Sequence, residues 1–229
     1  MSMNTAVKDT ATSRTELQTQ STRDANNAAT VGEPTLPVHR FTTEDYLSII
    51  EAGLLGEGDK VELIDGMISD MSPQGPEHSG DLIAYIDLFL PVKDRCHFAI
   101  QSTMPFGEGR VLDPDFVVLR PRDDRYRRAY AKPEDVLLLI EVASTSQVRD
   151  REVKPPIYAA AGVADYWVVD IPGDRVFVHR GPAGDTYGEI RMLRRGEKVT
   201  PVHFPDFTLD IADLLGPPVD EAASDGKGE

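Results

Sequence analysis

The stretch Val136-Leu137-Leu138-Leu139-Ile140, followed by Glu141 and Val142, constrains the fold more than any other part of the chain. A run this apolar and β-prone, with no alternation of polar positions, fits a strand covered on both faces and so placed centrally in a sheet. A carboxylate at its end is expensive, because an uncompensated buried charge costs several kcal/mol. Glu141 therefore needs a partner, either a metal ion or a cationic side chain.

The rest of the chain supplies the layers. Thr42 with Asp45 three residues later forms a capping-box pattern and opens a short helix through Tyr46, Leu47, Ile49 and Ile50, which Gly53 ends. Segments 60–64 and 67–71 flank Asp65-Gly66, a pair suited to a two-residue type I′ hairpin turn. After a loop at 73–76, Leu82, Ile83, Ile86, Leu88, Phe89 and Leu90 recur at helical spacing until Pro91. Strands are expected at 96–101 and 115–119. The central strand gives way to a polar turn at 144–149 and a helix that starts near Pro155 and Pro156 and ends at Gly162, with Lys154 in its first turn. Strands at 165–170 and 175–180 share a Pro172-Gly173 turn, and further β-like segments run through 189–193 and 207–209.

The first 36 residues are rich in Thr, Ser, Asn, Asp and Gln and carry too little apolar surface to offset their ordering entropy. They read as a disordered tail, and residues 217–229 as a disordered acidic one, leaving an α/β domain over 37–216. There is no apolar run near the roughly 20 residues that a membrane helix needs. No apolar leader is visible at the N-terminus, so a cytoplasmic location is expected. Cys96, the single cysteine, cannot form an internal disulfide and reads as a small buried hydrophobe.

Asp115 follows Pro114 at the start of one strand, Glu141 ends its neighbour, and Lys154 follows shortly after. Hydrolysis of a phosphodiester needs an activated water and neutralisation of the charge that grows on phosphorus, and a carboxylate-held divalent metal serves both needs. Mg²⁺ prefers oxygen ligands and retains waters, so Asp115, Glu141 and the backbone carbonyl of Val142 form a sufficient protein ligand set. A lysine can orient the water and offset charge. Residues two apart on a strand share a face, so a lysine after Glu141 would sit at position 143; that residue is Ala143, and Lys154 is placed to reach across instead. Glu62 is a candidate additional ligand or water-mediated contact, or else an exposed or paired strand acid. His78, just before the first long helix, is a candidate for metal or phosphate contact, or else a helix-start or surface residue. Gln101 is a candidate hydrogen-bond partner of the ligands. Tyr158, Tyr166 and Trp167 read as packing residues among apolar neighbours.

The order Pro114-Asp115, Glu141-Val142-Ala143-Ser144, Lys154 with Tyr158, and 162–170 (Gly-Val-Ala-Asp-Tyr-Trp-Val-Val-Asp) resembles the Uma-type putative restriction endonuclease domain, within the PD-(D/E)XK nuclease superfamily. The segments Val61-Glu62-Leu63-Ile64-Asp65-Gly66 and Met71-Ser72-Pro73 with His78 extend the resemblance over about 38–212. It implies a restriction-endonuclease-like fold, a mixed β-sheet flanked by helices with an N-terminal helix and β-hairpin. It also implies a Mg²⁺-dependent DNA endonuclease, with Mn²⁺ as a substitute ion, whose lysine has migrated from the strand to the following helix. A homodimer is expected, since two sites cut a duplex most simply.

The net charge of -15 runs against this, because surfaces that bind nucleic acid are usually basic. Arg120, Arg122, Arg125, Arg127, Arg128 and Lys132 form a local exception, readable either as a basic patch or as a solvated loop. The charge and Ala143 keep open a second reading, a non-catalytic interaction module on a nuclease fold. A glycosidase using the same acid pair is a third, but it gives Lys154 no role.

Overall fold

The structure, a computed structural model, describes residues 38–218 except 57, 72, 73 and 144–148. The expected tail at 1–36, most of the expected tail at 217–229 and most of the polar turn at 144–149 lie outside the described residues. The chain opens with helix α1 (Thr43–Glu51), where Thr42 and Asp45 exchange side-chain and backbone hydrogen bonds as a complete capping box. Gly53 follows at φ 70°, the left-handed residue that ends such a helix. Strands β1 (Val61–Ile64) and β2 (Met67–Asp70) form the hairpin, with Asp65 at φ 48° and Gly66 at φ 77°, the two positive values that a type I′ turn requires.

Helix α2 (Pro76–Phe89) begins two turns earlier than its apolar spacing suggested, because Pro76 occupies its first turn and needs no N–H there. His78 is therefore a helical residue and does not precede the helix. The chain continues as a 3₁₀ segment (Leu90–Arg95), then β3 (His97–Ile100), β4 (Met104–Pro105), β5 (Val111–Leu112) and β6 (Phe116–Leu119). Strand β7 (Val136–Ala143) is buried along its whole length, as its composition demands. A π-helical turn (Arg149–Val153) leads into α3 (Lys154–Ala160), and β8 (Asp165–Asp170), β9 (Arg175–Ala183) and β10 (Thr186–Leu193) follow. The two-residue strands β11 (Lys198–Val199) and β12 (Leu209–Asp210) and helix α4 (Ile211–Leu215) close the domain.

Six strands form the main sheet in the order β10-β9-β8-β7-β6-β3, and β2-β1-β5-β4 form a smaller one. Only β7 and β8 pair in parallel in the main sheet, joined through α3 as a βαβ unit. Alternation along β7 sends Leu138, Ile140 and Val142 into one apolar layer with Tyr85 and Phe89 of α2 and Leu214 of α4. Leu139 and Ala143 pack in the opposite layer with Ile157 and Tyr158 of α3. The fold is thus α/β, a mixed sheet with helices on both faces. The apolar stem of α3 carries its first residue, Lys154, down onto the end of β7.

Candidate active site

The antiparallel register of β6 and β7 pairs Phe116 with Ile140, so the next step outward sets Asp115 across from Glu141. Both are almost fully buried, as are Glu62, His78 and Lys154, none more than 5% exposed. The burial of so many ionisable groups at one end of a sheet is costly unless each is paired. The contacts show how that cost is met.

Asp115 is held from three sides. Its Oδ1 lies 3.0 Å from His78 Nε2 and accepts from Gln74 Nε2 at 3.2 Å, while Oδ2 accepts the Val142 backbone N–H at 2.8 Å. Burial pushes the carboxyl up, but the hydrogen bond and charge of His78, the Lys154 ammonium and the Val142 N–H outweigh it and hold Asp115 below the usual carboxylate range. Gln101, at φ 45°, donates its backbone N–H to the Asp115 carbonyl and its side-chain amide to Gln74 Oε1. Its amide nitrogen also lies 3.4 Å from His78 Nε2. Gln101 thus sits behind the two groups that orient Asp115.

Glu141 is served from the other layer. Its Oε1 accepts from Lys154 Nζ at 2.9 Å and from the Tyr158 hydroxyl at 2.6 Å, so two residues one helical turn apart on α3 converge on one oxygen. Burial, then the neighbouring Glu141 charge, keeps the Tyr158 hydroxyl protonated far above the ordinary tyrosine range, which preserves it as a donor. Glu62 of β1 reaches the same lysine, Oε1 to Nζ at 3.4 Å, and also accepts the Asp113 N–H at 3.2 Å. Asp113 itself is pushed up, mainly by burial and further by Glu62, against the opposing pull of a Thr103 hydrogen bond and of Lys154 and Lys60.

Sequence reasoning thus placed Asp115, Glu141, Lys154, Glu62, His78 and Gln101, and the structure gathers all six. Val142 enters through its N–H, as a donor to Asp115. Pro155, at the second position of α3, leaves the Lys154 side chain on Glu141. Gln74, Tyr158 and Asp113 take part without having been singled out as site residues. Tyr158 could have been found from its place four residues after Lys154 on one helical face.

Three buried carboxylates, Glu62, Asp115 and Glu141, face one buried ammonium and the His78 ring, and hard oxygen donors of this kind are ligands Mg²⁺ accepts. Among the described residues no three His, Cys, Asp or Glu side chains form a ready-made cation cage. Any cation held by Asp115 and Glu141 would have to complete its shell with water, a mode that Mg²⁺ accepts.

The family model Uma2, described as putative restriction endonuclease, matches residues 43–212. The chain belongs to the Uma2 family. Among solved structures it is similar to a putative nuclease of the DUF820 group from Anabaena variabilis, at 22% identity and a TM-score of 0.61, over 78% of this chain and 98% of that one. No curated protein matches. The likeness establishes the restriction-endonuclease-like fold, and in this Uma2 chain the buried acids and Lys154 lie where β6, β7 and α3 of that fold meet.

Proposed function

We propose that the protein is a Mg²⁺-dependent DNA endonuclease in which Asp115, Glu141 and the Val142 carbonyl hold the ion and Lys154 completes the site. The observation that carries this reading is the convergence of Asp115 and Glu141, from adjacent strands, with a buried lysine on Glu141. When bound, Mg²⁺ or Mn²⁺ would lower the pKa of a coordinated water and neutralise charge on the phosphate. The protein's own part follows from its contacts. His78 and the Val142 N–H keep Asp115 ionised at neutral pH and fix its direction. Tyr158 holds Glu141 in place while Lys154, positioned by Glu141 and Glu62, orients the attacking water and offsets charge developing on the phosphoryl oxygens. Gln101 acts through Gln74 and His78, and Glu62 acts on Lys154. A cytoplasmic homodimer supplying two such sites is part of the proposal.

Supercoiled plasmid incubated with Mn²⁺ or Mg²⁺ tests it: nicking that disappears in Glu141→Gln and in Asp115→Asn supports the reading, and no cleavage of any DNA overturns it. A non-catalytic module is favoured by one observation, the double occupation of Glu141 Oε1 by Lys154 and Tyr158. Calorimetry separates the two, since a module shows no Mn²⁺ binding that depends on Asp115 and Glu141.

A further inference from the structure

The loop from Arg120 to Lys132 carries six basic residues against Asp123 and Asp124, on a chain whose net charge is -15. It is a built loop with defined contacts. Arg122 pairs with Asp124 and lies 4.0 Å over the Tyr126 ring, and it donates to the Ala129 carbonyl at 3.1 Å. The Tyr126 hydroxyl donates to the Arg120 carbonyl at 2.8 Å, and Arg125 and Tyr126 both stand at positive φ, 51° and 59°, which shapes the bend. Arg122 and Asp124 neutralise one another. Among the described residues no carboxylate pairs with the guanidiniums of Arg125, Arg127 and Arg128, which are exposed around a hollow of about 320 Å³ that Asp123 and Asp124 also line.

Beside this rim runs a groove of about 670 Å³ whose walls include Ile100, Ser102, Thr103, Arg125, Tyr126 and Tyr130. Its size falls within the roughly 300–1,000 Å³ of pockets that hold small ligands, room for one unstacked base with its sugar. Tyr130 is 37% exposed. The chain links this groove to the candidate active site: Gln101, between the lining residues Ile100 and Ser102, contacts Gln74 and His78, and Thr103 hydrogen-bonds Asp113.

We propose that this groove and loop bind an unpaired nucleic-acid segment, with Arg125, Arg127 and Arg128 on phosphates and Tyr130 beneath a base. The inference deepens the nuclease reading and rests on it, since a strand lying here continues toward Asp115. Exposed, unpaired arginines suit phosphates, and a tyrosine at a groove wall suits stacking that tolerates any base. A paired duplex offers no free base face to Tyr130, so the groove selects single-stranded or frayed ends.

The test measures binding without turnover, using full-length Glu141→Gln protein in chelator and a fluorescein-labelled single-stranded 12-mer, with its duplex and heparin as comparisons. Arg125→Gln/Arg127→Gln/Arg128→Gln is expected to weaken the 12-mer about tenfold or more and to reduce its salt slope by about 2, the loss of three phosphate contacts at roughly 0.7 each. The corresponding triple lysine variant restores most of this affinity. Tyr130→Ala is expected to weaken the 12-mer about fivefold or more while sparing heparin. An unchanged 12-mer affinity and salt slope in the glutamine triple variant overturns the surface. A silent Tyr130→Ala, or equal losses for heparin and 12-mer, overturns the base contact and leaves only a polyanion or acidic-protein patch. Melting curves confirm that these surface variants are folded. Because no cleavage is read, failure of the plasmid assay leaves this result intact.

Discussion

Lys154 Nζ lies 2.9 Å from Glu141 Oε1 although the two residues are 13 apart and belong to different elements. The π-helical turn between them and the start of α3 deliver the lysine to the end of the strand that carries the acid. Replacing Lys154 with Met removes the ammonium that two buried carboxylates share and is expected to cost about 3–5 kcal/mol in urea unfolding. Adding Glu141→Gln to Lys154→Met is expected to recover part of that loss, which a double-mutant cycle reads directly. A cost under about 1 kcal/mol for Lys154→Met, the range of exposed ion pairs, would refute the buried pairing.

Tyr158→Phe keeps the ring packed against Phe106 and Tyr166 and removes only the hydroxyl that donates to Glu141 at 2.6 Å. A hydrogen bond to a charged group is worth about 1.5–3 kcal/mol, so denaturation should show a loss of that size. In the plasmid assay the same variant should lower the rate, because Glu141 loses a positioning donor.

His78→Phe removes the largest of the influences that lower the Asp115 pKa, so Asp115 will protonate at higher pH. A depressed folded-state pKa gives stability that is present above the unfolded value, about 3.9, and is lost as pH falls through the folded one. The variant should therefore lose stability relative to wild type most clearly above about pH 4, and any cleavage activity should show its acid limb shifted upward. Parallel acid-melting curves, or a limb that does not move, would show that His78 has no hold on Asp115.

Gly66→Ala tests the hairpin. Gly66 stands at φ 77°, and an added Cβ would come within 2.6 Å of Arg40 Cβ. Thermal melting is expected to show a cost above about 1 kcal/mol, since Ala is strained at positive φ and the backbone of Arg40 is fixed nearby. Asp65→Gly, which relaxes the same turn, should be far milder.

Cys96 is buried, and its thiol is pushed up to about 11 chiefly by that burial, against a smaller opposing pull from Arg95. Ellman's reagent at pH 8 should leave the native protein unmodified and titrate one thiol after unfolding. Rapid modification of the native form would place Cys96 at the surface.

The elements with strong local signals were legible in the residues: the Thr42 and Asp45 box, the Asp65-Gly66 turn and the unbroken apolar strand β7. The need of Glu141 for a partner was legible too, because a carboxylate ending a buried strand demands an explanation wherever it appears, and Lys154 supplies a partner. The two-residue strands β4, β5 and β11 and the helix α4 were not, as their pairing is set by distant partners and leaves no periodicity to detect. His78 was misplaced before α2 because Pro76 read as a loop residue when it begins the helix. Gln74 and the hydroxyl of Tyr158 were missed for a different reason: a neutral side chain with an ordinary packing role acquires its function only from a neighbour brought close by tertiary folding.

The contact from Glu62 to Lys154 crosses from the small sheet to the helix that covers the large one. One ammonium thus ties the small sheet to the large one, with Glu62 at 3.4 Å and Glu141 at 2.9 Å. The hairpin therefore bears on the end of β7 through charge as well as through packing, because Glu62 takes a share of the single ammonium that Glu141 also holds.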